Sequence, residues 1–416
     1  MSFAVEREAG VVVVRGSLGP DATPILCAAL HQAVRDEGRS HIVLDFSGCE
    51  GITQAVMLPL TPLVTWYREV HDVRFEWVRP LDRALARLFV NANWAFHIDP
   101  GRHEPKPHRG GHVPALRFLD DGGDGQDAIL HRVMELVLGH LDTTRDTLKA
   151  VEWSLGEIMD NVAAHARSPV GGFVQATAFA KSNVVEFVVA DAGIGIPRSF
   201  GTDDDRAALR RAIAEGVTSD PARNAGNGLF GSYRVAVLSS GTFEIRSGRA
   251  LLRRVPEGDL RVGEEPAPYR GTSVRCRIGL ADPGLLGRAL RFRGRPHDPP
   301  YDFVEREFED ERGDLVFGMR ETAFPHFGSR LGGKRVRRMI TNLLRTRRSI
   351  VLDFEGVGVF TSSFADELFG RLFVEMGAMA FIKRIRMVHV DPTVEGLIDR
   401  AIAQRARLGS GEPDPT

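Results

Sequence analysis

Residues 351–361 read VLDFEGVGVFT, and residues 43–53 read VLDFSGCEGIT. Both carry V-L-D-F-x-G with a threonine five residues after the glycine. An amphipathic helical stretch precedes each: Ile25, Leu26, Ala29, Leu30 and Ala33 in the first, Val336, Ile340, Leu343 and Leu344 in the second. A second helical stretch follows each, and then a short strand, VRFEWV or IRMVHV. Helices alternating with a continuous apolar strand predict an α/β domain with a parallel or mixed sheet under helices. The same element order on both sides makes duplication of one domain type the better account of the match.

Working outward, two Pro/Gly-rich breaks divide the chain of 416 residues, DPGRHEPKPHRGGHVP at 99–114 and RFRGRPHDPP at 291–300. They leave three blocks, 1–100, 113–282 and 300–408, with a tail expected to be disordered. Apolar residues at 43% and charged residues at 26% are ordinary for globular domains, and a net charge of -1 advertises neither nucleic acid nor an anionic membrane. No apolar run reaches the length of a spanning helix, and MSFAVEREAG lacks the basic flank and apolar core of a signal peptide. Cys27, Cys49 and Cys276 are far apart, which excludes a disulfide scaffold and argues against zinc. A cytoplasmic protein is expected. The one Gly-Gly-Lys, in GGKRVRR at 332–338, lacks the opening glycine and the Ser/Thr of a P-loop.

The outer blocks resemble the STAS fold of anti-sigma-factor antagonists. That resemblance implies a phosphorylatable turn after the VLDF strand, which here falls on Thr361, Ser362 and Ser363. Thr361 stands where that family carries an acidic residue, and the N-terminal block has Thr53, Gln54 and Ala55 at the corresponding turn. Read from the residues alone, the same hydroxyls open a helix as caps.

The middle block holds four separated signals. In TLKAVEWSLGEIMDNVAAHA, 147–166, Val151, Leu155, Ile158 and Val162 make one buried helical stripe. Glu157, Asn161 and His165 make a second line along the same helix. Next, VVEFVVADAGIGIP, 184–197, ends an apolar strand in Asp191, Gly193 and Gly195; glycines there admit a close ligand, and the carboxylate accepts from an amino group. GNGLFG, 226–231, opens a helical run and offers free N–H groups to phosphate. Gly271-Thr272 opens an alternating strand, GTSVRCRIGL.

In this order the four signals resemble the GHKL (Bergerat) ATP-binding fold over residues 113–282, and within it the anti-sigma-factor serine kinases. The expected architecture is thus an α+β sandwich between two small STAS-like domains. The resemblance implies ATP and Mg²⁺ as cofactors. Asp191 would accept from the adenine amino group with Thr272 beside it, and Gly193 and Gly195 would give the base and ribose access. Gly226, Gly228, Leu229 and Gly231 would border the phosphates. Asn161 would bind the metal through its amide oxygen. Glu157 would be the base. No lysine lies between Lys181 and Lys334, so cationic help falls to Arg206, Arg210, Arg223 or Arg234. The segment 198–225 would order on nucleotide binding, or would already be a helix on Leu209 and Ile213.

Arg330, Lys334, Arg335, Arg337, Arg338, Arg345, Arg347 and Arg348 form a basic stretch. Without aromatic interleaving it reads as a solvated helix face, or one docked on acidic groups of the same chain, rather than a nucleic-acid surface. The whole predicts a serine/threonine kinase or ATPase of the partner-switching kind, with a protein partner, no membrane, and a homo-oligomer compatible with the pattern. The alternative is a nucleotide-gated binding switch with little or no catalysis.

Overall fold

The computed structural model describes residues 3–107, 110–119, 123–217, 226–300, 302–323 and 326–410. The chain divides into two compact units, one of Met1–Val133 with Ala150–Asp298, the other of Met134–Lys149 with Pro299–Thr416. Among the described residues no helix is long and apolar enough to cross a membrane.

The first unit opens with strands β1 (Phe3–Glu8), β2 (Val11–Leu18), β3 (His41–Ile52) and β4 (Arg74–Val78). They form a sheet in that order, antiparallel between β1 and β2 and parallel thereafter. Helices α1 (Thr23–His31), α2 (Gln54–His71), α3 (Arg83–Asn91) and α4 (Trp94–Ile98) complete the N-terminal block. Every residue of α2 from Gln54 to Tyr67 is buried. A helix apolar on all sides needs partners on all sides, and α2 touches both β4 and the strands of a second sheet.

That second sheet comprises β5 (His112–Phe118), β6 (Gly172–Phe179), β7 (Val184–Asp191), β8 (Thr242–Arg254) and β9 (Arg261–Gly279). Its order is β5-β6-β7-β9-β8, antiparallel throughout. Helices α5 (Asp124–His140), α6 (Arg145–Asn161), α7 (Gly195–Ser199), α8 (Asp205–Ala212), α9 (Gly228–Leu238) and α10 (Leu285–Ala289) accompany it, followed by the hairpin β10 (Arg291–Phe292) and β11 (Arg295–Pro296). One core runs from the N-terminal block into Ala115, Phe173, Val188 and Tyr269 of this sheet. Polar groups cross as well. Gln54 Nε2 donates to Glu186 Oε1 at 2.9 Å, Thr177 Oγ1 donates to Gln54 Oε1 at 2.8 Å, and Trp94 Nε1 donates to Gln175 Oε1 at 2.8 Å.

Two expectations change here. Strand β9 starts at Arg261, so Gly271 lies inside it rather than opening it, at φ +84°. The stretch after 290, expected to be a linker, folds back as the β10–β11 hairpin. Of the segment 198–225, α8 is a formed helix capped by Asp204 with Leu209 and Ile213 buried, while residues 218–225, including Arg223, lie outside the described residues.

The second unit is built on three parallel strands, β12 (Leu315–Gly318), β13 (Ile350–Asp353) and β14 (Ile385–Val388), with β13 central. Helices α11 (Phe303–Phe308), α12 (Met319–Ala323), α13 (Arg330–Leu344), α14 (Ser362–Ala365), α15 (Arg371–Met376), α16 (Ala378–Arg384) and α17 (Pro392–Ser410) surround them. The VLDF repeat is structural: β3 and β13 each lie between two parallel neighbours. Asp45 Oδ1 accepts from Ser47 N at 2.8 Å, and Asp353 Oδ1 accepts from Glu355 N at 3.0 Å, the same local bond, which lies at the end of β13 but inside β3, where its register with β2 shifts. Thr53 and Thr361 then stand at the N-cap positions of the helices that follow, with a side-chain cap bond at Thr361 alone of the two.

The basic stretch of α13 is docked on acidic groups. Arg337 pairs with Glu367 and Glu375, Arg330 with Asp366 and Glu367, Arg335 with Glu135, and Arg347 with Glu309. Gly333, the middle of the Gly-Gly-Lys, serves packing: a Cβ there would come 2.7 Å from the Phe364 carbonyl oxygen.

Candidate functional site

A cavity of about 380 Å³ opens in the first unit between α6 and strands β7 and β9. Glu157 and Asn161 enter it from α6, Asp191 from the end of β7, Gly195 from α7, Gly226, Gly228 and Leu229 from the start of α9, and Thr272 from β9. These residues come from four separate stretches of chain. Two of the expected residues do not line the cavity. Gly193 lies behind it, where a Cβ would strike the Ala166 carbonyl oxygen at 1.9 Å. Gly231 packs on Trp153, whose ring a Cβ would meet at 2.1 Å.

Alternation along β7 explains Asp191. Val185, Phe187, Val189 and Asp191 share one face, and Glu186, Val188 and Ala190 the other, which meets the N-terminal block. Asp191 Oδ1 accepts from Gly193 N at 2.7 Å, and Oδ2 accepts from Thr272 N at 3.2 Å. Burial lifts the carboxyl to about 7, against those two N–H groups and the charge of Arg270. Ser247, on β8, braces the loop that follows. Its Oγ accepts from Ile196 N at 2.9 Å and donates to the Gly271 carbonyl at 2.7 Å. Gly271 itself is indispensable, since a Cβ would lie 2.5 Å from Asp191 Oδ1.

On the facing helix, burial raises Glu157 to about 7, with the nearby Asp160 charge adding to the effect. Asn161 Nδ2 donates to the Glu157 carbonyl at 2.6 Å, which leaves Oδ1 as the free amide acceptor. The helix then widens into a π-helical segment, Val162–Ala166, a departure found at many functional sites. Helix α9 begins at Gly228, inside the glycine motif, so the N–H groups of its first turn lie at the cavity.

Trp153, Phe200, Phe292 and His297 also line the cavity, though the sequence reading singled out none of them. Phe292 and His297 arrive on the β10–β11 hairpin, their rings 5.4 Å apart and each 6.3 Å from Trp153. No arginine or lysine stands among the described lining residues. Arg206 and Arg210 are exposed on α8, and Arg234 is occupied by the carbonyls of Arg288 and Arg291.

In the second unit, Thr361 caps α14: its Oγ1 accepts from Phe364 N at 3.3 Å and lies 3.1 Å from Ser363 Oγ. Ser362 is exposed, and its hydroxyl makes no hydrogen bond among the described residues. Asp353, Glu355 and His389 bring ligand-type atoms within 4.8 Å of one another, but the contact of 2.8 Å between His389 Nδ1 and Asp353 accounts for that grouping.

Residues 332–395 match the family model of a STAS-like domain of unknown function (DUF4325). The second unit contains a STAS-like domain. Its match runs from α13 through β13 and the Thr361 turn into α17. The central strand of the STAS-like domain is the VLDF strand from which the repeat was read. No curated protein matches the chain.

Proposed function

We propose that the first unit binds ATP with Mg²⁺ in the cavity between α6 and β7, as a GHKL-type module. The protein would use it as an ATP-dependent switch or serine/threonine kinase in partner-switching signalling. One observation carries this: carboxylate, amide, glycine and hydroxyl groups from four distant stretches converge on one cavity of about 380 Å³. That volume lies within the range of roughly 300–1,000 Å³ usual for small-molecule sites.

The residues present suit both cofactors. Asp191 keeps lone pairs beyond its two backbone bonds, enough to accept from an exocyclic amino group. Asn161 Oδ1 is a hard oxygen ligand suited to Mg²⁺. The start of α9 offers N–H groups and the positive end of a helix dipole to phosphates. Bound Mg²⁺ supplies charge neutralisation at the terminal phosphates. Glu157, held near 7, is matched to accept a proton from a hydroxyl or water at neutral pH.

A STAS-like domain fits a role in protein–protein interaction, and Ser362 is the hydroxyl at its helix-opening turn with no hydrogen bond to break. The second reading is a nucleotide-gated binding switch with little or no turnover. It rests on the lack of an arginine or lysine among the described lining residues, since phosphoryl transfer gains most from such charge.

Calorimetry with ATP and Mg²⁺, followed by γ-labelled ATP and phosphosite mapping, tests both readings. Saturable binding with label on a STAS-like hydroxyl supports the kinase, and binding without turnover supports the gated switch. No binding to the intact chain overturns both.

A further inference from the structure

A second cavity, of about 480 Å³, lies on the other side of the loop that follows Asp191. Its walls are α1 and α2 of the N-terminal block, the loop residues Gly193, Ile194, Pro197 and Arg198, and residues 268–271 of β9. Four arginines line it: Arg35, Arg198, Arg249 and Arg270. Two carboxylates share the lining, Asp203 and Asp205, and Asp205 is already engaged by the Arg249 backbone N–H at 2.6 Å. Among the described residues, Arg35, Arg198 and Arg270 have no ion pair to any carboxylate.

Two of the three are held in place, Arg270 and Arg35. The Arg270 guanidinium lies 3.8 Å above the Trp66 ring and donates through Nε to the Ala192 carbonyl at 2.9 Å. Arg35 sits 5.4 Å from the same ring, with Nη2 3.1 Å from His71 Nε2. The Arg198 side chain is exposed and makes no hydrogen bond among the described residues. Burial, then the charges of Arg198 and Arg35, pull Arg270 below its usual range, with Tyr67 opposing. Four guanidinium groups against two carboxylates leave the lining net positive, which favours an anion, and guanidinium groups match phosphate oxygens two at a time. The Trp66 face is covered by Arg270, so the site has charge rather than a stacking platform to offer.

We propose that this second cavity binds a small phosphate-bearing anion as an effector. The two cavities share one piece of backbone: Gly195 and Ile196 line the first, while their neighbours Ile194, Pro197 and Arg198 line the second. Arg270 grips Ala192, the residue after Asp191, and Gly271 precedes Thr272. An anion drawing Arg198 and Arg270 together acts directly on the loop that shapes the first cavity, which is the physical requirement for coupled sites.

The proposal does not depend on what the first cavity holds. The test is calorimetric titration of the full chain, without nucleotide, using inorganic pyrophosphate and separately orthophosphate. Wild type should bind pyrophosphate, and Arg198→Ala and Arg35→Ala should each weaken it about tenfold or more with unchanged thermal unfolding. Asn161→Ala, on α6 and outside the lining of the second cavity, should leave that affinity intact, so loss of ATP binding and loss of anion binding are read separately. Equal affinity for orthophosphate supports a site for one phosphate group, and tighter pyrophosphate supports a site for two. No binding of either anion, affinity unchanged in both arginine variants, or a loss confined to Gly228→Ala would overturn the proposal.

Discussion

Gly228 and Glu157 stand so close that a Cβ at position 228 would fall 2.2 Å from Glu157 Oε2. The glycine motif thus does more than free backbone N–H groups: it leaves room for the carboxylate. Gly228→Ala should push Glu157 aside while the helices stay packed. A displacement near 1 Å costs on the order of 100-fold in a positioned reaction. Turnover per bound nucleotide should fall accordingly, with the melting curve little changed. Undiminished turnover would remove Glu157 from the role of base.

Asp191→Asn places an NH₂ where one oxygen now accepts from Gly193 or Thr272. With ATP bound as proposed, it would also oppose donor to donor at the adenine amino group. ATP affinity should drop by about 1–3 kcal/mol. In wild type, affinity should weaken as pH falls through about 7, because protonation turns the acceptor into a donor. Calorimetry at pH 6 and pH 8 on both proteins reads each effect, and a pH-independent wild type would contradict the second.

Turnover should also decline as pH falls through about 7, as Glu157 gains its proton. Stability moves the other way. The folded carboxyl holds its proton more tightly than the unfolded chain, so its contribution is full below the unfolded value of 4.5 and is lost as pH rises through about 7. Relative to Glu157→Gln, wild type should therefore lose melting temperature between pH 5 and pH 8. A constant difference would show that the carboxyl titrates normally.

If the protein phosphorylates a STAS-like domain, Ser362→Ala should remove most of the label, because Thr361 and Ser363 are tied to each other. The new charge gains from the α14 N-terminus and is opposed by Asp366 and Glu367. Partner binding rather than stability should respond. Label retained in a Thr361/Ser362/Ser363 triple alanine variant would place the acceptor elsewhere.

Gln54→Ala should destabilise the first unit by about 1–3 kcal/mol, since it strips buried partners from Glu186 and Thr177. Denaturant titration checks this. A loss below about 0.5 kcal/mol would mean that water or Arg275 compensates.

The sequence made α6 legible because its two stripes, Val151 to Val162 and Glu157 to His165, follow helical spacing. The VLDF repeat was equally plain, since both aspartates accept from the backbone two residues on and both threonines stand at a helix N-cap. Ser247 was hidden, and Gly271 read only as the opening of a strand, because their tasks exist only after β8 and β9 pair. Phe292 and His297 were masked by the Pro/Gly-rich composition around them. The cover on the outer face of β7 did leave a trace: VVEFVVAD is apolar almost without alternation, the mark of a strand buried on both sides. The two raised carboxyls were invisible, because burial by distant segments causes them.

The joint between α2 and the second sheet has an evolutionary consequence. Gln54, Trp94 and Tyr269 reach across it, with Tyr269 Oη donating to the Pro59 carbonyl at 2.9 Å. A recombination breakpoint near residue 100 would give the sheet a companion whose polar groups miss theirs, leaving Gln175 without its Trp94 donor and Glu186 with only the arginines of its own sheet, Arg275 and Arg277. Grafting the middle block alone into another protein would meet the same mismatch. The two blocks should therefore be inherited as a pair, and substitutions on one side of the joint should be answered by substitutions on the other.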